Sequence, residues 1–155
     1  MKDYEVRLKE LGLSIPSLPP AAGNYVPAVK VGNLVFCSGQ GPYKDGGFAY
    51  IGKVGDNLSL EDGYKAARIA ALNCLAEICT VIGSINRIAR VVQVRGFVNS
   101  APGFTDQPKV VNGASDLLVE ILGEAGRHAR AALGTSSLPM NIPVEIEMVV
   151  EVVSE

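Results

Sequence analysis

The chain has 155 residues, enough for one domain with its own core and too few for two domains of ordinary size. Hydrophobic residues make up 48% of it, yet no run of about 18 apolar residues occurs, which excludes a membrane-spanning helix. The formal net charge is −2, so no long-range attraction for nucleic acid is expected. The apolar excess predicts a subunit interface; an Ala- and Val-rich core is the alternative.

The cysteines and the N-terminal segment bear on the compartment. Cys37, Cys74 and Cys79 are odd in number and lack the spacing of a disulfide framework, which favours a reducing cytosol. The segment MKDYEVRLKE is charged and lacks the apolar run and cleavage site of a signal peptide. A cytoplasmic location is therefore expected.

The periodicity of apolar residues predicts an α+β chain. Apolar residues recur every three or four positions in the helical segments, whereas the strands show alternation or β-branched runs. Two helices on one face of a mixed sheet is the economical packing for this order. The predicted elements are a helix over 3–11, a Pro-rich connector over 14–24, strands over 25–31 and 34–40, a short strand around 48–51, a helix over 61–82, a strand over 88–99, a helix over 107–122, and strands over 129–133 and 144–153.

Turn and capping residues support several of these boundaries. The Gly32-Asn33 pair between two apolar runs is typical of a β-hairpin. Glu61 and Asp62 favour the first turn of the long helix because they complement the helix dipole. Gly123 is well placed to end the next helix.

Four motifs occur in a fixed order between residues 23 and 153. The most specific is at the C-terminal end, where Arg130 precedes Leu138-Pro139 by eight and nine residues and a Val144-Glu145-Ile146-Glu147 strand follows. The other three are Tyr25-Val26-Pro27-Ala28-Val29, Ser38-Gly39-Gln40-Gly41-Pro42, and Ala67-Arg68 with Asn73. Together the four motifs resemble those of the YjgF/RidA family.

This resemblance implies a chorismate-mutase-like α+β fold with two helices on one face of a mixed sheet. It also implies a homotrimer with pockets between subunits. The RidA branch hydrolyses reactive 2-imino and enamino acids to 2-keto acids and ammonia without a cofactor. Members outside that branch often lack a settled function, and some carry the label endoribonuclease. The domain would span 23–155, preceded by a helix and connector over 1–22.

Arg130 is the strongest candidate for a site residue. A guanidinium presents a planar fork of donors that can grip a carboxylate through two parallel hydrogen bonds. Without the motif, an arginine on a solvated strand face would be the ordinary interpretation. The spacing to Leu138-Pro139 selects Arg130 over the neighbouring Arg127.

The resemblance assigns the remaining catalytic roles to Glu145 and to the Ser38-Gly39 loop. Glu145 could hold the attacking water or carry a proton to the leaving amine, although alternating glutamates are ordinary on a strand. Glu147 is less favoured because the motif places the functional carboxylate first. The Ser38 hydroxyl would contact substrate, and the Gly39 carbonyl could orient water.

Three further residues are expected to line the pocket. Tyr25 would contribute a flat ring with a polar tip, although a half-buried core tyrosine is the alternative. Asn112 matches an asparagine of the second helix in the family and would contact the ligand or face solvent. Ala132 stands where some relatives have cysteine, and it preserves a backbone N–H contact to the carboxylate. Asn24 stands where members of the family commonly have a proline before the residue that matches Tyr25. Because of this departure, the resemblance does not identify the substrate.

Other chemistries find little support in the sequence. His128 is the single histidine, and a lone histidine beside a strand is usually structural or exposed. No set of residues has the spacing of metal ligands. Three hypotheses follow: an imine hydrolase, a non-catalytic protein that binds a small carboxylate metabolite, and a ribonuclease. The ribonuclease is opposed by the single histidine, the negative charge and the lack of a basic aromatic stripe, and no nucleic-acid or membrane partner is expected.

Overall fold

The computed structural model describes residues 3–154, in which one five-stranded sheet carries its main helices on one face. No helix among these residues is both long enough and apolar enough to cross a bilayer. The helices are α1 (Tyr4–Glu10), α2 (Leu60–Ile82) and α3 (Gln107–Leu122), and the strands are β1 (Ala28–Val31), β2 (Leu34–Gln40), β3 (Tyr43–Lys44), β4 (Gly47–Phe48), β5 (Ile88–Asn99), β6 (Ala129–Thr135) and β7 (Val144–Val152).

The order of strands in the main sheet is β1-β2-β7-β5-β6. All neighbours pair antiparallel except β5 and β6, which are parallel and joined through α3. A parallel pair needs such a crossover because its strands must start at the same end of the sheet. As a result β6 lies at an edge, and the first turns of α3 lie close to it. The short strands β3 and β4 form a separate hairpin.

Alternation divides the sheet into a covered face and an open face. Val94, Val98, Val144 and Ile146 point toward the helices and are fully buried. The residues between them on β5 and β7 point the opposite way. Large apolar side chains remain exposed on this open face, namely Val29, Val31, Leu34, Phe36 and Leu133.

Helix α2 lies close to the sheet because its buried side chains are small. Ser59 and Asp62 close its N-terminus with a capping box, in which each side chain bonds the other's backbone N–H at 3.1 and 2.9 Å. Gly83 ends the helix. The small residues buried on its inner side are Gly63, Ala66, Ala67, Ala70, Ala71 and Cys74.

Helix α3 approaches α2 most closely at Gly113. A Cβ atom at this position would lie 2.0 Å from the carbonyl oxygen of Tyr64 on α2. Only glycine therefore fits at this crossing. The tight contact fixes α3 against both α2 and the sheet, and it determines where the polar side chains of α3 meet β6.

The predicted α+β fold with helices on one face is confirmed, and β5 coincides with the predicted strand over 88–99. The strand predicted over 129–133 extends to Thr135, and two other strand predictions were imprecise. The first strand begins at Ala28 rather than residue 25, because Pro27 has no N–H for the ladder; its carbonyl accepts from Ser38 N instead. The strand expected around 48–51 is instead Gly47–Phe48, after which the backbone N–H of Ala49 bonds back to Pro42.

We expect Gly113→Ala to destabilise the fold by about 3 kcal/mol, because the new methyl group meets backbone that cannot move aside. Urea unfolding followed by circular dichroism measures this change. Gly47→Ala is the matched control, since a Cβ there meets nothing within 4 Å. Equal midpoints for both variants would show that α2 and α3 can separate without cost.

Candidate functional site

The residues expected to form a site fall into two groups. Arg130, Ala132 and Asn112 lie where β6 meets α3. Glu145 and the Ser38-Gly39 loop lie where β7 meets β2.

Arg130 is exposed at the edge of the sheet, and α3 orients its guanidinium group. Its Nη1 donates to Asn112 Oδ1 at 2.7 Å and to Ser115 Oγ at 3.2 Å. Asn112 and Ser115 share a helical face because they are three residues apart. Ala132 points to the same side of β6 as Arg130, two residues along, and is half-buried. The arginine is thus held by neutral partners while it remains open to solvent.

His128 extends this network into the protein. Its Nδ1 lies 2.6 Å from the carbonyl oxygen of Gly126, and its Nε2 lies 2.9 Å from Ser115 Oγ. Burial lowers the pKa of the imidazole below its usual 6.5, and the charge of Arg130 lowers it further, against the opposing effect of the Gly126 hydrogen bond. The neutral ring is therefore favoured at neutral pH.

Glu145 packs directly against Gly39. A Cβ atom at residue 39 would lie 2.9 Å from the carboxyl carbon of Glu145, so a side chain there would displace the carboxylate. Burial raises the pKa of Glu145, and the charge of Glu147 raises it further. Glu147 itself pairs with Arg95 at 2.6 Å. Glu145 is therefore held beside a backbone segment with no cation paired to it among residues 3–154.

Ser38 fastens the strand end beside Gly39 to the segment before β1. Its hydroxyl donates to the carbonyl of Val26 at 2.9 Å, and its backbone N–H donates to Pro27 at 2.8 Å. The nearby Tyr25 side chain is 57% exposed. Its exposure contradicts the half-buried core alternative.

The two groups lie on opposite faces of the sheet within one chain. Arg130 pairs in register with Val94, a residue of the covered face, and bonds to side chains of α3. Glu145 lies between the buried Val144 and Ile146, so it projects from the open face. A single chain therefore does not bring the guanidinium of Arg130 and the carboxylate of Glu145 together.

A cavity of about 910 Å³ lies elsewhere in the described chain. It is bounded by the connector, the β3–β4 hairpin and α2, and none of the predicted site residues lines it. Two basic side chains at this cavity are already paired, Lys65 with Glu61 and Arg68 with Glu120. Within residues 3–154, no cluster of three or more His, Cys, Asp or Glu side chains could hold a metal ion.

Sequence reasoning missed two residues of the Arg130 group, Ser115 and His128. A signal for Ser115 was available, because it lies three residues after Asn112 and shares its helical face. His128 lies one residue before β6, so strand alternation gave no signal for it. The missing information was the distance between α3 and β6, which depends on helix packing.

Comparison of the chain with known proteins identifies one family. Residues 5–152 match the family model described as "YjgF/chorismate mutase-like, putative endoribonuclease". Protein TCP17 of Trypanosoma cruzi is 41% identical over 145 residues, which cover 93% of this chain and 91% of that protein.

Two crystal structures share the architecture over nearly the whole chain. Protein Atu1372 of Agrobacterium tumefaciens, described as of unknown function, has a TM-score of 0.88 at 45% identity, covering 96% of this chain and 91% of its own. A protein of Shewanella oneidensis MR-1, described as a "putative endoribonuclease", has a TM-score of 0.92 at 37% identity, covering 96% of this chain and 99% of its own.

We expect Glu147→Gln to lower the pKa of Glu145 partway toward its ordinary value. The substitution removes the neighbouring negative charge and leaves the effect of burial in place. Carboxyl ¹³C NMR titration measures this shift. Glu151→Gln, farther along the same face of β7, is the control and should change the pKa less. An unchanged Glu145 pKa in Glu147→Gln would attribute the whole shift to burial.

Proposed function

Because this chain belongs to the YjgF/chorismate mutase-like family, we propose that it hydrolyses 2-imino and enamino acids to 2-keto acids and ammonia in a pocket between two copies of the chain. The observation that carries this proposal is the exposed Arg130, which neutral side chains orient and no carboxylate of residues 3–154 neutralises. Such a guanidinium is suited to the carboxylate of a 2-imino acid.

Arg130 binds the substrate carboxylate and so directs the C=N group toward the second group of residues. A planar donor fork defines the orientation of the bound carboxylate as well as its position. Ala132 lies two residues along the same edge strand, and its backbone N–H would be a further donor to this carboxylate. Asn112 acts here through its hydrogen bond to the arginine.

Glu145 and Gly39 position the water molecule that attacks the substrate. The Gly39 carbonyl and the Glu145 carboxylate accept hydrogen bonds from a water molecule, whose oxygen attacks the imine carbon as Glu145 takes its proton. Glu145 returns that proton to the nitrogen, which gives the carbinolamine. Glu145 then takes the proton of the new hydroxyl group and passes it to the amine, which leaves as ammonia as the C=O bond forms. One water is consumed, and the C=N bond is replaced by C=O. Burial and the charge of Glu147 raise the pKa of Glu145, which makes its carboxylate a stronger base toward this water.

Assembly would unite the two groups. Arg130 and Glu145 project from opposite faces of one sheet, so a pocket that contains both needs a second copy. The exposed apolar side chains of the open face, described above, provide a surface for that copy. A homotrimer, as implied by the family resemblance, would repeat this contact three times by closed symmetry. The three free cysteines support a cytoplasmic location for the assembly.

A non-catalytic metabolite-binding protein is the alternative. The Arg130 group is complete within one chain for the binding of a carboxylate, whereas hydrolysis also needs Glu145 from a neighbour. This alternative would hold if the protein binds keto acids without turning over imines. The endoribonuclease label belongs to relatives, and the net charge of −2 gives RNA cleavage no support here.

We expect Arg130→Ala to lower kcat/KM for freshly generated 2-iminopropanoate by about a hundredfold or more, since a charged hydrogen-bonding anchor is lost. Keto-acid release in a coupled assay measures this rate. Arg127→Ala is the matched control, because Arg127 pairs with Glu124 at 3.0 Å and should not touch substrate. Equal rates for wild type and Arg130→Ala would overturn the proposal.

We expect Phe36→Asp to dissociate the assembly and abolish hydrolysis, because it places a charge on the apolar open face. Light scattering after size-exclusion chromatography gives the mass. Val6→Asp on α1 is the control, since Val6 is 47% exposed and Phe36 45%, but Val6 lies outside the sheet. A wild-type protein that elutes as a monomer would contradict the proposed pocket.

A further inference from the structure

We propose that Ser115 and His128 are positioning residues that, with Asn112, orient Arg130 so that the Nε–Nη2 edge of its guanidinium receives the substrate carboxylate. The inference deepens the proposed function and rests on it for the nature of the ligand. Its geometric basis is the chain of contacts from Gly126 through His128 and Ser115 to Arg130.

The donors of the guanidinium identify the free edge. Nη1 carries two hydrogens and has two acceptors, Asn112 Oδ1 and Ser115 Oγ. Within residues 3–154, no acceptor bonds to Nε or Nη2. The hydrogen on Nε and one hydrogen on Nη2 point in parallel, which matches the two oxygens of a carboxylate. The substrate carboxylate is therefore expected to bind along the Nε–Nη2 edge of the Arg130 guanidinium.

The direction of each hydrogen bond is determined by the carbonyl of Gly126. A carbonyl can only accept, so Nδ1 of His128 carries a proton. In the neutral ring Nε2 is then the acceptor, and Ser115 donates its hydroxyl hydrogen to it. The lone pairs of the same hydroxyl face Nη1 of Arg130. His128 thus orients Ser115, and Ser115 orients Arg130.

The charges around His128 support the neutral ring. The positive charge of Arg130, on the strand that follows His128, disfavours a second positive charge on the ring. On the preceding turn Glu124 and Arg127 pair with each other, and on α3 Asp116 accepts a hydrogen bond from Tyr64. On β5, Arg95 pairs with Glu147 on the other face. None of these carboxylates contacts His128 to stabilise an imidazolium.

The neutral partners leave the charge of Arg130 available. Arg68, Arg95 and Arg127 each pair with a glutamate at 2.6, 2.6 and 3.0 Å. Arg130 has an amide and a hydroxyl as its partners instead. These hold its orientation without cancelling its attraction for an anion, which is what a carboxylate-binding arginine requires.

NMR of the imidazole tests the network without any substrate. The chain has one histidine, so its ¹⁵N signals are unambiguous. We expect protonated Nδ1 and unprotonated Nε2 at neutral pH, a change at Nε2 in Ser115→Ala, and a higher His128 pKa in Arg130→Gln, since a neighbouring cation is removed. A neutral ring protonated at Nε2 would overturn the assigned directions.

Calorimetric binding of pyruvate, a 2-keto acid product, tests the consequence for the ligand. We expect Ser115→Ala to weaken binding about tenfold, as for the loss of one hydrogen bond to a charged group. Ser115→Thr, which keeps the hydroxyl, should restore much of the affinity.

Asn112→Asp preserves the acceptor but neutralises Arg130, so it should weaken binding about tenfold or more while the midpoint of unfolding stays equal or rises. Arg130→Lys should lose binding because lysine has no two-donor edge.

Ser17→Ala, on the exposed connector, is the matched control and should bind as wild type does. Unchanged affinity in Ser115→Ala, or tighter binding in Asn112→Asp, would overturn the positioning role. If only the proposed function fails, the results differ. Wild type then binds pyruvate, and Ser115→Ala and Asn112→Asp weaken that binding, but wild type does not hydrolyse 2-iminopropanoate. A wild type that binds no pyruvate would overturn the inference.

Discussion

The close crossing of α3 over α2 at Gly113 is the contact on which the Arg130 group depends. A Cβ atom there would lie 2.0 Å from a backbone oxygen of α2, so the distance between α3 and α2 is defined within narrow limits. The same helix connects β5 to β6 and therefore lies over the sheet edge that carries Arg130. A small shift of α3 would separate Asn112 and Ser115 from the guanidinium.

The two halves of the proposed site show different uses of charge. Around Arg130, neutral acceptors maintain orientation and leave the positive charge available for a ligand. Around Glu145, burial and a second carboxylate raise the pKa, which suits a group that gives and takes a proton. In the proposed reaction, substrate binding and proton transfer would therefore involve opposite faces of the sheet, and the exposed apolar residues of the open face would form the contact between copies of the chain.

Much of the fold could be predicted because it depends on local patterns. Alternation gave the strand over 144–153 to within one residue, and the small apolar residues of the long helix gave 61–82 within one residue at its start. The segment before Ala28 was predicted less well, since Pro27 cannot donate to a ladder. The motif spacing selected Arg130, which the structure brings together with the predicted Asn112. The structure also places the predicted Glu145 against the predicted Gly39.

The sequence by itself determined the α+β class, most of the helices and strands, and the identity of the candidate arginine, because periodicity and motif spacing are properties of neighbouring residues. Only the tertiary structure decided that His128 and Ser115 contact each other and reach Arg130, and that Glu145 projects from the opposite face. These relations depend on the distance of α3 from α2, on the register of the strands, and on the crossover through α3 that joins the parallel strands β5 and β6. Each arises from packing between segments far apart in the chain, and no local pattern of residues encodes those distances.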